Sequence, residues 1–346
     1  MKFRRLKKLT ELYGISGFEE PVVEFIENEI KDIADEYWKD NVGNLIALKK
    51  GKKKSKRRLM LLAHMDEVGL MVKKINKDGT LALTNIGGVD PRVVMGKKVK
   101  VGEDLKDGII GFKAIHEQKR EEILKSPKYS DLCVYAGYEK DEEAKSEFNI
   151  GDPVFFDTKY KEIGEYAVGK AFDDRNGCEV LIKILEYLQE NPVDYDVYFS
   201  WVVQEEVGLR GSGVAASQIE PDSAIIFEGT TAGDNPELAE SRWAAQIGKG
   251  PVLTYAHGFL VLNKKIFDVI KETAKQHNIP HQFKGRTAGG TDAARLARTL
   301  RGIPAGVIST SARYIHSPMC LMSLKDFENT IKLGKTLITE GKVFNK

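Results

Sequence analysis

Val197-Tyr198-Phe199-Ser200-Trp201-Val202-Val203-Gln204-Glu205-Glu206-Val207-Gly208 is the stretch on which the fold turns. Its first seven residues have strand character, and the run ends at two adjacent carboxylates. Charge at the mouth of a buried strand is costly unless each group has a partner. A metal ion and a proton-transfer role would supply those partners. Taken alone, the pair is also compatible with a solvated strand end entering a loop, because charged residues usually sit exposed.

Working outward from this strand, apolar runs alternate with helical patterns. Helical periodicity covers residues 4–12 and 20–34, with Val22, Val23, Phe25, Ile26 and Ile30 on one face. Strands are predicted at 44–49 and 59–63. After residue 169 come a helix at 176–187, the strand at 196–203, a helix at 212–218 and a strand at 223–227. Helices at 263–276 and 293–299, a strand at 305–310 and a helix at 323–340 complete the chain. Such alternation predicts an α/β fold, a central mixed sheet flanked by helices. From about residue 71 the texture differs: short β-rich runs are broken by turn signals such as Asp78-Gly79, Gly87-Gly88 and Gly151-Asp152-Pro153. This reads as a small all-β insert of roughly 90 residues. The expected organisation is a catalytic domain of residues 1–69 plus 166–346, interrupted by residues 70–165.

Bulk properties exclude several classes. A chain of 346 residues with 42% hydrophobic content can bury a large core. A net charge of +2 gives no global field favouring nucleic acid or a membrane surface. No stretch approaches the roughly 20 apolar residues of a spanning helix. The basic start, Met1 to Leu9, is followed by no apolar segment, so no signal peptide is expected. Cys133, Cys178 and Cys320 form neither a metal finger nor a disulfide framework, which fits a reducing cytoplasm. The basic run Lys49 to Arg58 reads as a solvated hairpin tip, with a phosphate or acidic-surface contact as the alternative.

Five segments place ligand-type residues at or just beyond strand ends. They are His64-Met65-Asp66, Asp173-Asp174-Arg175 before a helix, Glu205-Glu206, Glu228 after Ile225-Ile226-Phe227, and His316. Each has an ordinary reading by itself: a core histidine, a helix N-cap, a strand-end carboxylate, a loop histidine. Together they are two histidines and several carboxylates at strand ends, where α/β sheets bind ligands. That set matches a two-metal hydrolase site with N/O ligands. Glu205, next to Glu206, is the candidate general base. His64 and Asp66 share one side of an extended chain, so Asp66 can orient the imidazole.

The ordered set His64-x-Asp66, Ala171-Phe172-Asp173-Asp174-Arg175, Gln204-Glu205-Glu206-Val207-Gly208, Glu228-Gly229-Thr230-Thr231-Ala232 and Ile315-His316-Ser317 resembles the tetrahedral and glutamyl aminopeptidases. These are dinuclear metallo-aminopeptidases, some of them labelled endoglucanases. Gly289-Gly290-Thr291-Asp292-Ala293-Ala294 is similar to a further signature of that family. The resemblance implies that Asp173 bridges two divalent ions, zinc or cobalt. His64 and Glu228 would complete one metal, Glu206 and His316 the other. Glu205 would be the catalytic base and Asp66 the residue that orients His64. It also implies removal of N-terminal residues from short peptides with a free amine, a β-barrel-like form for the insert, and assembly into a dimer or dodecamer through it. Gly290, Thr291 and Asp292 are the expected substrate-site residues; a tight turn with Asp292 capping the next helix is the alternative. Glu228 stands where many members carry Asp. His257 stands where relatives often carry Asp, and no role follows for it.

Three other functions remain open at this level. A di-metal deacylase would act on acyl-amino acids. A glucan hydrolase would need two carboxylates and no histidines. A non-catalytic, metal-stabilised assembly protein would need ligands but no base. The preferred N-terminal residue, the metal and the choice between dimer and dodecamer are not written in the linear sequence.

Overall fold

The computed structural model describes residues 3–53, 55–236 and 238–344. Its frame is a sheet of eleven strands among the described residues. Four central strands, Asp196–Val202, Arg58–His64, Ser223–Thr231 and Ala305–Arg313, run parallel in that spatial order. Leu45–Lys49 adds antiparallel beside Asp196–Val202, which makes the sheet mixed. Side chains on successive residues point to opposite faces. Thus Leu59, Leu61 and Ala63 pack with helices Phe172–Glu190 and Leu324–Glu340 on one face. Met60 and Leu62 pack against Arg210–Ile219 and Ala293–Leu296 on the other. Burial on both faces explains why these strands read as nearly unbroken apolar runs.

The insert is a closed antiparallel barrel. Its strands lie between Gly69 and Phe156, and its core is built from Leu70, Val72, Val99, Val101, Val134 and Val154. Lys161–Ile163 already pairs into the large sheet, through Tyr166–Gly169. At the junction Ile15 bridges to Glu67, and its side chain fills the space that a Cβ on Gly69 would need.

Several local expectations change. The basic run is not a hairpin tip, because Asp196–Val202 lies between Leu45–Lys49 and Arg58–His64. The run crosses over a neighbouring strand; adjacency in sequence fixed only that the two strands are antiparallel to each other. Within it Lys49 pairs with Asp35 at 3.1 Å, Lys50 with Glu36 at 2.6 Å and Lys53 with Asp194 at 2.5 Å, while Lys54 lies outside the described residues. The second helix stops at Ile30. The helix expected at 293–299 spans only Ala293–Leu296. Strand 305–310 continues through Ser311 to Arg313, and Ser309, Thr310 and Ser311 are all buried in it. Those hydroxyls tolerate burial because they find partners: Thr310 Oγ1 with Thr330 Oγ1 at 3.0 Å, and Ser311 Oγ donating to the Gln246 carbonyl at 3.2 Å. Edge strand Glu36–Lys39 was not anticipated, since three of its four residues are exposed and no apolar alternation marks it.

Two buried cations tie the N-terminal segment to the sheet. Arg175 donates to the carbonyls of Met65 at 2.6 Å, Leu9 at 2.7 Å and Gly14 at 3.1 Å. Lys170 Nζ donates to Glu67 Oε1 at 2.5 Å and to the Leu12 carbonyl at 2.6 Å. Burial lowers Lys170 to about 8, against the opposing pull of Glu67. A depressed folded-state pKa means that the unfolded chain holds the proton more tightly between pH 8 and the ordinary lysine value. Stability therefore rises across that window as the buried charge is relieved. Thermal unfolding of Lys170→Met and wild type from pH 7 to 10.5 should show this rise in the wild type and its absence in the variant.

Candidate active site

His64, Glu205, Glu206, Glu228 and His316 sit near the carboxyl ends of central strands or on the turns that follow, and Asp173 sits at the start of helix Phe172–Glu190. His64 closes Arg58–His64, and its Nδ1 lies 3.1 Å from the Asp66 carbonyl and 3.4 Å from Asp66 Oδ1. An Nδ1–H donated there leaves the Nε2 lone pair facing the cavity. Nε2 is 3.2 Å from Asp173 Oδ1 and 3.1 Å from Glu228 Oε1. His316 Nε2 is 3.4 Å from the other oxygen of the same carboxylate, Asp173 Oδ2, and 3.3 Å from Glu206 Oε1. Asp173 thus stands between two sets, each made of one imidazole and one glutamate.

The neighbouring aspartates divide two jobs. Asp174 is fully buried; it accepts the Gly177 N–H at 3.0 Å and the His64 N–H at 3.2 Å. The capping reading of this segment is thus realised by Asp174, which leaves Asp173 to the cavity. Asp173 and Asp174 have non-helical dihedrals, and the peptide bond between them is cis. Gly229 permits the approach, since a Cβ there would stand 2.7 Å from Asp173 Cα. His64, Asp173 and Glu206 bring ligand-type atoms within 4.8 Å of one another, and so do His64, Asp174 and Glu228. Asp174's oxygens already accept N–H groups, so Asp173 is the better donor for both sets.

The electrostatics are dominated by burial. It raises Glu205 well above the carboxylate range and Glu228 to about 8, with His64 opposing in both cases. Burial opposes ionisation of Asp173 too, but hydrogen bonds from His316 and His64 hold it well below the usual value. Burial works against protonated His316, yet Asp173 and Glu206 lift it to about 11. Glu228 Oε2 is buried with no hydrogen-bond partner among the described residues. A buried excess of carboxylate over imidazole, with an orphaned oxygen, is the donor set of a divalent-cation centre.

Asp66, wholly buried, accepts from Glu205 N at 3.0 Å, Glu206 N at 3.1 Å and Ser16 Oγ at 2.6 Å. It orients the two-glutamate turn as well as His64. His316 has a left-handed backbone, φ 57°, and its Nδ1 lies 3.1 Å from the Gly88 carbonyl. A residue of the barrel segment therefore sets this ring, a contact with no signal in the local sequence.

The cavity over these groups has a volume of about 480 Å³. Gly290 and Thr291 line it; Asp292 does not, lying fully buried beside Ser212. Phe259 lines it beside Gly290, with its ring 2.7 Å from where a Gly290 Cβ would be. His257 is buried nearby, its Nδ1 accepting the Phe259 N–H at 3.3 Å. Lys284 and Arg286 also line the cavity, and sequence reasoning missed both. The one available signal was two cations in Lys284-Gly285-Arg286, just before the glycine pair.

A mixed α/β sheet with a barrel insert and this strand-end cluster is the architecture of a hydrolase, and comparison with known proteins narrows the class. The M42 glutamyl aminopeptidase family matches over residues 43–333. A putative aminopeptidase of Acetivibrio thermocellus is 38% identical over 96% of each chain. The lysyl aminopeptidase of Pyrococcus furiosus is 33% identical over 97% of this chain and 96% of its own. Among solved structures, a Thermotoga maritima protein described as an endoglucanase is 45% identical, with a TM-score of 0.81 over 98% and 97% of the two chains. The TET1 peptidase of Pyrococcus horikoshii, described as able to assemble into a tetrahedron or a large octahedral shell, is 30% identical, with a TM-score of 0.86 over 97% and 99%. The chain belongs to the M42 glutamyl aminopeptidase family. It is a peptidase of the aminopeptidase class.

Asp66→Ala would leave two backbone N–H groups and a hydroxyl without their acceptor. The expected cost is about 1–3 kcal/mol for each buried donor left unpaired. Urea unfolding of the variant and wild type measures it, and equal midpoints would show that Asp66 does not hold this turn.

Proposed function

We propose that the protein is a metal-dependent aminopeptidase that removes N-terminal residues from short peptides, with Glu205 as general base. The observation that carries the reading is Asp173, whose two oxygens face two separate imidazole–glutamate pairs. His64, Asp173 and Glu228 would hold one divalent ion, and His316, Asp173 and Glu206 a second, zinc or cobalt. When bound, such ions supply Lewis acidity, which lowers the pKa of water and polarises a carbonyl. Glu205 accepts the proton of the attacking water and delivers it to the leaving amine. Asp66 holds the backbone of Glu205 and Glu206 still during that exchange. The carboxylate cluster receives the substrate's α-ammonium, and Gly290 and Thr291 flank its first residue.

The cavity has polarity. Carboxylates line it, and so do two cations, Lys284 and Arg286. Lys284 is only 7% exposed and makes no ion pair among the described residues. Burial lowers its pKa, with Glu228 and Asp173 opposing. A substrate carrying both an ammonium and a side-chain carboxylate satisfies both kinds of group. The reading therefore favours an acidic first residue, in line with the family's description and unlike the lysyl relative.

We assign the barrel segment, Gly69 to Phe156, as an assembly module inserted in the catalytic domain; the insert ends earlier than the expected residue 165, because Lys161–Ile163 already belongs to the large sheet. Assembly into a dimer or dodecamer is supported by the shell-forming relative. A cytoplasmic location is supported by three unpaired thiols. Two histidines set among carboxylates have no use in glycosidic chemistry, which argues against glucan hydrolysis.

Release of free amino acid should be followed on unblocked and N-acetylated peptides, after chelation and after zinc or cobalt is restored. Activity should return with metal, on unblocked peptides alone. Glu205→Gln should keep its metal and lose most turnover, at least about a hundredfold; near-normal turnover would remove Glu205 from the mechanism. In a second experiment, kcat/KM on peptides beginning with Glu, Leu and Lys should fall in that order. Lys284→Glu should reverse the Glu-to-Lys preference by about tenfold or more, and an unchanged order would exclude Lys284 from specificity.

A further inference from the structure

Four consecutive backbone N–H groups at the end of Asp196–Val202 are held by side chains rather than by a neighbouring strand. Val203 N donates to Asn44 Oδ1 at 3.0 Å and Gln204 N to Glu19 Oε1 at 3.0 Å. Glu205 N and Glu206 N donate to the two oxygens of Asp66. Three of these acceptors have an evident reason to be where they are. Asn44 also ties to the Gly211 carbonyl at 3.0 Å, and Asp66 faces His64. Glu19 is the unexplained member.

Glu19 occupies the N-cap position of helix Glu20–Ile30, yet its side chain makes no capping bond to that helix. A side chain at this position ordinarily directs its oxygen to its own first turn. Glu19 is 6% exposed and reaches instead across to the catalytic turn. Its target, Gln204, is in the left-handed region at φ 56°. A non-glycine residue there persists only where its surroundings hold it. Ser16, three residues upstream, donates to Asp66 Oδ2 at 2.6 Å, so one short segment braces both carboxylates that pin the turn.

We infer that Glu19 is a positioning residue for Glu205: by accepting the Gln204 N–H it fixes the backbone from which the general base projects. Glu19 does not line the catalytic cavity, so it reaches Glu205 through the backbone and not through the substrate. The role needs an acceptor oxygen at the right reach, not a charge. Burial and the nearby Asp66 raise Glu19 to about 7, and a carboxyl oxygen can accept in either protonation state. The inference rests on the reading of Glu205 as base.

The test compares metal-loaded wild type with Glu19→Gln, Glu19→Met, Glu19→Asp and Glu205→Gln, by kcat, KM, bound metal and thermal midpoint. Gln keeps an acceptor at the same reach and should stay within about threefold of wild-type kcat. Met fills the space without an acceptor and should lose about tenfold or more in kcat, with KM and metal content held. Asp keeps the charge but withdraws the oxygen by one methylene. It should show the same kcat loss with an unchanged or higher thermal midpoint, so a Met variant that does not fold leaves the inference testable. Wild-type kcat in either Met or Asp overturns it, as does a Gln variant that loses as much as Met. If Glu205→Gln keeps wild-type turnover, the base assignment itself fails. If that variant is inactive while Met and Asp are unimpaired, only the role of Glu19 fails.

Discussion

A single carboxylate between two imidazoles, Asp173 between His64 and His316, is the constraint around which the rest is arranged. Asp173 lies among Glu205, Glu206 and Glu228, and burying so many like charges is tolerable only with counter-charge supplied at the same place. Every structural device nearby serves to keep these groups from relaxing apart. Asp174 takes over the capping of the helix, so Asp173 need not. Gly229 removes the Cβ that would push Asp173 away. Asp66 holds the glutamate turn and the first imidazole at once.

The support extends well beyond the residues that touch the cavity. Arg175 draws the carbonyls of Leu9, Gly14 and Met65 to one guanidinium, which fixes the N-terminal segment against the strand carrying His64. That segment then delivers Ser16 and Glu19 to the glutamate turn. From the other side the barrel delivers the Gly88 carbonyl to His316. The insert is therefore part of the site's framework as well as a separate unit of the fold. Any movement of the barrel against the sheet would be felt first by that imidazole, which is the more exposed of the two.

The part of the cavity lined by Lys284 and Phe259 is built differently. Lys284 and Phe259 come from segments with short, irregular strands, and they reach the cavity through the docking of one loop on another. Gly258 N donates to the Gly289 carbonyl at 2.9 Å, which sets the Phe259 ring over Gly290. Strand ends and a helix start carry the clustered histidines and carboxylates, while loops carry Lys284 and Phe259, the usual division in α/β enzymes.

The sequence by itself determined the α/β class, the all-β insert and which residues gather at the strand ends. It could do so because burial on two faces leaves continuous apolar runs, and charge just beyond such a run is conspicuous. His64, Asp173, Glu205, Glu206, Glu228 and His316 were all legible in that way. Tertiary structure alone decided that Leu45–Lys49 and Arg58–His64 are separated by another strand, because pairing depends on crossover geometry that local sequence does not encode. It also decided that Asp292 lies behind the cavity wall and that the strand from Ala305 runs on through Ser311 to Arg313. Glu19, Gly88 and Lys284 act through contacts spanning many residues, and each looks ordinary in its own neighbourhood. Their roles follow from where the fold carries a single oxygen or ammonium, and no local periodicity or motif records such a position.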